Sequence, residues 1–391
     1  MLNTSLSPWP SFTQEEADAV SKVLLSNKVN YWTGTECREF EKEFAAFAGT
    51  QYAVALSNGT LALDVALKAM GIGAGDDVIV TSRTFLASAS CIVTAGANPV
   101  FADVDLNSQN ISSETIKAAL TPNTKAIIVV HLAGMPAEMD GIMDLAKEHD
   151  LWVIEDCAQA HGAKYKGKSV GSIGHVGAWS FCQDKIMTTG GEGGMVTTND
   201  KELWSKMWSY KDHGKSYDAV YHREHAPGFR WLHESFGTNW RMMEMQAVIG
   251  RIQLKRMPEW TARRQAHAAK LAESLGKFAG IRLIEVADYI EHAQYKFYAF
   301  VKPEHLKECW TRDRIVNELN ARKVPCYQGS CSEVYLEKAF DNTPWRPKER
   351  LKNAIQLGDT SLMFLVHPTL TDDEIAFCKE HIEAVLAEAT A

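Results

Sequence analysis

The 391-residue sequence has no excess of positive charge. Its 41 lysines and arginines stand against 49 aspartates and glutamates, for a formal net charge of -8. A chain of that sign does not attract a phosphate backbone, so no nucleic-acid partner is expected. Long apolar runs are missing as well. None approaches the ~20 residues needed to cross a bilayer, so no membrane partner is expected. The opening residues, MLNTSLSPWPSFTQEE, lack a positive region followed by an apolar one, and no export signal is expected. The eight cysteines, at 37, 91, 157, 182, 309, 326, 331 and 378, form no C-x-x-C pair and no Cys/His cluster with zinc spacing. This scatter predicts no metal site and reduced thiols in a cytoplasmic protein.

What is present between about residues 50 and 200 is an alternation of short β-rich runs and helical stretches. Strands are predicted at Tyr52–Leu56, Asp77–Thr81, Pro99–Val104, Lys125–Val130, Leu151–Glu155, Val176–Phe181 and Gly194–Thr197. Between the first two, Leu61, Val65, Ala66, Leu67 and Met70 recur at helical spacing, and Gly71 follows as a stop. Such alternation predicts an α/β protein with a mixed, mostly parallel sheet covered by helices on both faces. Residues 243–275 predict a long helix or a helix pair broken near Pro258. After it the pattern changes: strands at Ile281–Val286 and Tyr295–Val301, helices at Thr311–Arg322 and Thr371–Glu388. Two domains follow: a large one over 1–265, with 1–30 partly an N-terminal arm, and a smaller α+β domain over 266–391.

In open α/β sheets ligands sit beyond the carboxyl ends of the strands. Four segments there carry chemistry. Ser57-Asn58-Gly59-Thr60 joins the first strand to the first helix, a natural phosphate cradle of backbone N–H groups and a hydroxyl. Phe85 follows the second strand and could stack on a planar ligand, or simply fill the core. Asp156 ends the strand IED, where its carboxylate could hold a protonated pyridine nitrogen or cap the next helix. Gln159 lies three residues on. Lys185 is delivered by a strand into a loop with four glycines, at 190, 191, 193 and 194. A partly desolvated lysine amine is a nucleophile for Schiff-base chemistry, although a lone lysine beside a hairpin is commonly a surface group. Each segment has a bland alternative. Their succession after consecutive strands, where one ligand could touch all four, favours a single site.

The stretch EDCAQAHGAKYKGKSVGSIGHVGAWSF, followed by Lys185 and its glycine-rich loop, resembles the DegT/StrS family of nucleotide-sugar aminotransferases, which are fold-type-I pyridoxal-phosphate enzymes. The similarity runs from the WTG segment at Trp32 to HPTLTDDEI at His367. It implies pyridoxal 5'-phosphate as cofactor, with Gly59, Thr60 and Ser180 on its phosphate and Phe85 stacked on its ring. Asp156 would pair with the pyridine nitrogen, Gln159 would meet the ring oxygen, and Lys185 would form the Schiff base. The segment Gly237-Thr238-Asn239-Trp240-Arg241-Met242 resembles the family's G-x-N-x-R-M signature, which implies a homodimer with shared sites in which Asn239 reaches the neighbouring subunit's phosphate. Ile186 stands where the family usually has Asn, and the loop from Lys185 to Gly194 is one residue longer than usual. Both departures are expected on the substrate side.

By this resemblance the reaction moves an amino group from L-glutamate to a nucleotide-linked keto sugar. A 4-keto-6-deoxyhexose of the UDP-N-acetylhexosamine type is favoured. Trp32, Thr33, His161, His213 and Arg241 are the candidates for the substrate face, Arg241 because a guanidinium matches diphosphate geometry. The alternatives are a keto-sugar dehydratase, a 3-position aminotransferase, and a regulatory protein that keeps the fold without turnover.

Overall fold

The computed structural model describes residues 6–390, so the first five residues of the expected N-terminal arm lie outside it. Its strands are β1 Tyr52–Leu56, β2 Asp77–Thr81, β3 Asn98–Ala102, β4 Thr124–Val130, β5 Trp152–Asp156, β6 Lys164–Tyr165, β7 Lys168–Ser169, β8 Val176–Ser180, β9 Gly194–Thr198, β10 Ile281–Leu283, β11 Ile290–Glu291, β12 Phe297–Val301, β13 Cys326–Tyr327 and β14 Ser361–Phe364. Seven of them form the main sheet, in the order β1-β9-β8-β5-β4-β2-β3. The pairs from β8 through β3 are parallel, whereas β9 runs antiparallel to both β1 and β8.

Strand alternation divides the apolar residues between two cores. Val78, Val80, Ala126, Ile128, Val130 and Ile154 face one, and Ile79, Ile127, Val129 and Val153 face the other. All of these are buried, which is why the strands read as nearly continuous apolar runs. The helix Gly59–Ala69 begins where the Asn58 side chain accepts the Leu61 N–H at 3.0 Å, and it buries Ala62, Leu63, Val65, Ala66 and Leu67.

The expected break at Pro258 does not occur. Glu244–Leu275 is one helix of 32 residues, about 48 Å long at 1.5 Å per residue. Pro258 removes a backbone bond, but packing on both sides of it holds the axis. Met257 and Trp260 are buried in the first core, and Leu271 and Leu275 belong to a third. That third core lies around the antiparallel sheet β10-β12-β14-β13. The segment after β13 returns to the main sheet, where Val334, Tyr335 and Phe340 join the first core. Two helices that periodicity did not reveal, Gln14–Leu25 and Glu36–Ala48, pack along the long helix, tied by Arg256–Glu16 and Arg251–Glu36 ion pairs of 2.8 and 2.6 Å. Among the described residues no helix is long and apolar enough to cross a membrane.

One buried acid fixes the strand end that carries the site. Glu155, fully buried in β5, accepts N–H bonds from Gly171, Ile173 and Gly174 at 2.8, 2.8 and 2.6 Å. His131 Nε2 lies 2.9 Å away, and its Nδ1 accepts from the Ala137 N–H at 3.1 Å. Burial alone would raise this carboxyl, but the His131 bond and the backbone amides hold it below its ordinary value of 4.5. A depressed folded value means that the charged form stabilises the fold above about pH 4.5, and that this contribution fades as pH falls through the lower folded value. Glu155→Gln is therefore expected to cost about 2–4 kcal/mol at pH 7 and progressively less in acid. Urea unfolding at pH 7 and pH 4 checks this; an equal cost at both would mean the clamp is not ionic.

Candidate active site

The carboxyl ends of β1, β5 and β8 open onto a cleft of about 620 Å³. It is lined by Gly59, Thr60, Phe85, Asp156, Gln159, Ser180 and Lys185, together with Ser88, Asp184 and Glu192. A cleft of this size suits a cofactor with part of a substrate.

Its floor is a close backbone approach. A Cβ on Gly59 would stand 2.4 Å from Ser180 Cβ, and one on Gly194 would stand 2.2 Å from the Asn58 carbonyl oxygen. Only glycine permits the ends of β8 and β9 to press against the turn after β1. Because Asn58 caps Leu61, the Gly59 and Thr60 amides at the first helical turn have no partner among the described residues. With the Ser180 hydroxyl beside them, they suit a dianionic phosphate.

Asp156 is 6% exposed at the end of β5. Ser88 Oγ donates to its Oδ2 at 2.8 Å, and the Ala158 N–H donates to Oδ1 at 3.1 Å. Thr84 Oγ1 lies 2.9 Å from Ser88 Oγ behind it. No helix directly follows β5 among the described residues, so Asp156 is not a helix cap; the Ala158 bond closes a local turn, and the carboxylate faces the cleft. Burial pushes its pKa above the ordinary value, against the Ser88 and Ala158 hydrogen bonds and the Lys185 charge. A cationic ligand nitrogen would relieve that cost. Gln159 Oε1 accepts the Ala133 N–H at 2.8 Å, which leaves its amide nitrogen for the cleft. Phe85 is 71% exposed on the cleft rather than in the core, as a ring awaiting a stacking partner would be.

Lys185 does not sit on a loose hairpin. Its amide donates to the Cys182 carbonyl at 3.1 Å, closing a turn, and its own carbonyl accepts the Trp9 indole N–H at 2.9 Å. Ile186 and Met187 are fully buried in the first core. Ile186 is thus an anchor behind the loop, not a residue of the substrate side, because its apolar side chain packs inward.

The other expected positions lie elsewhere. His161 is fully buried against Trp179 and Phe181, at centroid distances of 5.2 and 5.6 Å, and burial lowers its pKa to about 3. It is a neutral core residue, and a substrate role for it is corrected. Trp32, Thr33, His213 and Arg241 do not line the cleft. Arg241 is spent on Asp212 at 2.6 Å, and Lys215, 2.9 Å from the same acid, covers the Trp32 ring at 4.4 Å. Thr33 is exposed and turns back onto the Asn30 carbonyl; His213 is an exposed left-handed residue with φ of 59°. Asn239 is exposed and outside the cleft, in a bridge with Asp212. Periodicity and motif spacing missed Ser88, Asp184, Tyr295 and Trp9. Only Ser88 left a signal, as a hydroxyl three residues beyond Phe85.

The glycine floor makes a direct expectation. Gly59→Ala should weaken pyridoxal-phosphate binding at least about tenfold while the chain stays folded, since overpacking costs about 1–3 kcal/mol and falls on the anion turn. Fluorescence titration of the apoprotein measures it; unchanged affinity would mean that the turn does not hold the phosphate.

Comparison with known proteins places this geometry. Residues 10–383 match the DegT/DnrJ/EryC1/StrS aminotransferase family. A solved aminotransferase from Psychrobacter cryohalolentis is similar at 66% identity, over 98% of this chain and 99% of that one, with a TM-score of 0.96. The dTDP-3-amino-3,4,6-trideoxy-alpha-D-glucose transaminase of Streptomyces venezuelae is 35% identical over 82% of this chain and 79% of its own. The GDP-perosamine synthase of Caulobacter vibrioides is 41% identical over 72% and 73%. The chain belongs to the DegT/DnrJ/EryC1/StrS family and is a sugar aminotransferase.

Proposed function

We propose that the protein is a pyridoxal-phosphate-dependent transaminase that moves the amino group of L-glutamate to a nucleoside-diphosphate-linked 4-keto-6-deoxyhexose of the UDP-N-acetylhexosamine type. One observation carries this: the buried Asp156 carboxylate, Lys185 and the open amides of Gly59 and Thr60 meet on one cleft. When bound, pyridoxal phosphate supplies an electron sink for the negative charge that develops at the donor carbon. Gly59, Thr60 and Ser180 hold its phosphate. Asp156 keeps the pyridine nitrogen protonated, Phe85 covers the ring, and Gln159 meets the ring oxygen. Lys185 would hold the cofactor through Nζ and, once freed by the amino donor, its Nζ would take the proton from the donor carbon and pass it to the cofactor carbon.

The relatives' names span different nucleotides, GDP in one and dTDP in another, so the base is open to measurement. The Streptomyces relative is named for a 3-amino sugar, which makes the 3-keto sugars the natural comparison set. A homodimer belongs to the same proposal. The segment before Asn239 exposes Phe229, Trp231 and Phe236 by 76%, 81% and 99%, an apolar surface that a second copy would cover. Asn239 would then reach the partner's phosphate, while Trp32, Thr33, His213 and Arg241 would serve the substrate only across that interface.

Purified enzyme with glutamate and a panel of UDP-, dTDP- and GDP-linked 3- and 4-keto sugars, followed by mass analysis, tests the reaction. Transfer of nitrogen to none of them would end the proposal. Asp156→Asn should retain the cofactor but lower kcat about 10- to 100-fold, the equivalent of about 1.5–3 kcal/mol for a hydrogen bond to a charged group. Near-normal turnover would reduce Asp156 to a turn-forming residue. Mixing inactive Lys185→Ala and Asn239→Ala chains should restore activity after subunit exchange, because one site of the crossed dimer has both residues intact. No recovery would assign Asn239 to its own chain.

A further inference from the structure

Beside Lys185 stands an acid that the chemistry above does not use. Asp184 lines the cleft with a half-exposed side chain, and its Oδ1 lies 3.8 Å from Lys185 Nζ. Neighbouring residues in a strand would point to opposite faces. Here the turn closed by the Lys185 amide on Cys182 brings both to the same cleft.

The other oxygen is held from behind. Tyr295 Oη donates to Asp184 Oδ2 at 2.5 Å. Tyr295 is buried, and its own backbone N–H donates to the Ala133 carbonyl at 2.9 Å, in the same residue whose N–H holds Gln159. Burial first, and then the Asp184 charge, raise the phenol's pKa well above its ordinary value, so it remains a donor. Asp184 is held below the ordinary carboxylate value; burial opposes this, and the Lys185 charge, the Tyr295 bond and the Lys296 charge overcome it. The carboxylate is therefore both ionised and aimed.

Lys296 completes the group. Its Nζ lies 4.7 Å from the Tyr295 ring centroid and that of Lys185 lies 5.4 Å from it. Burial lowers the Lys296 pKa to about 8, with Asp184 opposing and the Arg264 and Lys185 charges assisting. Lys296 makes no ion pair among the described residues. It supplies a second positive charge near Asp184 for the stages in which Lys185 carries none.

We propose that Asp184, oriented by Tyr295, is the counter-ion on which the Lys185 ammonium rests whenever Nζ is not bonded to the cofactor, and hence a positioning residue for the proton transfer. This rests on Lys185 being the reacting amine. A lysine with four rotatable bonds, released halfway through each turnover, must be kept near the reacting carbon without being locked away from it. A tight buried ion pair would hold it too strongly, whereas a 3.8 Å contact with a half-exposed carboxylate restrains it weakly.

The test compares Asp184→Asn, Tyr295→Phe and the double variant. In the apoprotein, brief acetic anhydride treatment at pH 8 with peptide mass analysis reads the acylation of Lys185. Asp184→Asn is expected to speed it about three- to tenfold, because the amine loses the carboxylate contact that restrains it. In the holoenzyme the same variant should lower kcat about tenfold, with KM for glutamate and keto sugar changed less than about twofold. Tyr295→Phe should show a smaller loss of the same kind. The double variant should be no worse than Asp184→Asn alone, since the hydroxyl acts only through the carboxylate. Unchanged labelling of Lys185, or additive losses in the double variant, overturns the inference. Turnover by Lys185→Ala would instead remove the proposed function, and this inference with it.

Discussion

The site depends on a place where two backbones meet with no room for a side chain. Gly59 lies against Ser180, and Gly194 against the Asn58 carbonyl. That contact presses the ends of β8 and β9 onto the turn after β1, and it leaves two helix-start amides facing the cleft. A methyl group at either glycine would push the strands apart and separate the anion turn from the segment that carries Lys185.

Two adjacent acids divide the remaining work. Glu155 and Asp156 are consecutive in β5, so their side chains leave opposite faces of the sheet. Glu155 takes three loop amides and His131, and it is held ionised by them. Asp156 receives only two hydrogen bonds, and burial pushes it up. The first carboxylate is satisfied by the fold. The second is left with charge to offer a ligand. The cluster His131, Glu155 and Cys157 has the residue types of a metal site, but His131 and Glu155 are already engaged in this clamp and the Cys157 thiol donates to the Glu155 backbone carbonyl.

Residues far away in sequence then hold the lysine in place. Trp9 binds the Lys185 carbonyl, packs edge-on against Trp260 at 5.1 Å, and stacks with His367 at 6.0 Å. Tyr295 arrives just ahead of β12 and reaches Asp184. The 32-residue helix carries Trp260 in one core and Leu271 and Leu275 in another, so both groups of supports share one rigid axis. The Lys185 loop is thus braced by Trp9 and Tyr295 as well as by its own strands.

The sequence by itself determined the main sheet's strands within a residue or two, because period-2 burial and apolar runs are local properties of each segment. It also placed Gly59, Phe85, Asp156 and Lys185 at or just beyond the ends of those strands from position, once ligands are placed at the carboxyl ends, whereas Ser180 entered only through the family resemblance. The tertiary structure decided the rest. Pro258 stays inside a helix because cores on both sides outweigh one lost hydrogen bond. The strands β6, β7 and β13 are too short to show a period, and β6 depends on pairing with β11, 125 residues away along the register from Tyr165 to Ile290. His161 looked like a site residue beside Asp156, yet the turn after β5 rotates it under Trp179 and Phe181. Ser88, Asp184, Tyr295 and Trp9 matter only through who their neighbours are. Periodicity records how a residue faces its own element. It carries no information about which distant side chain will be folded against it.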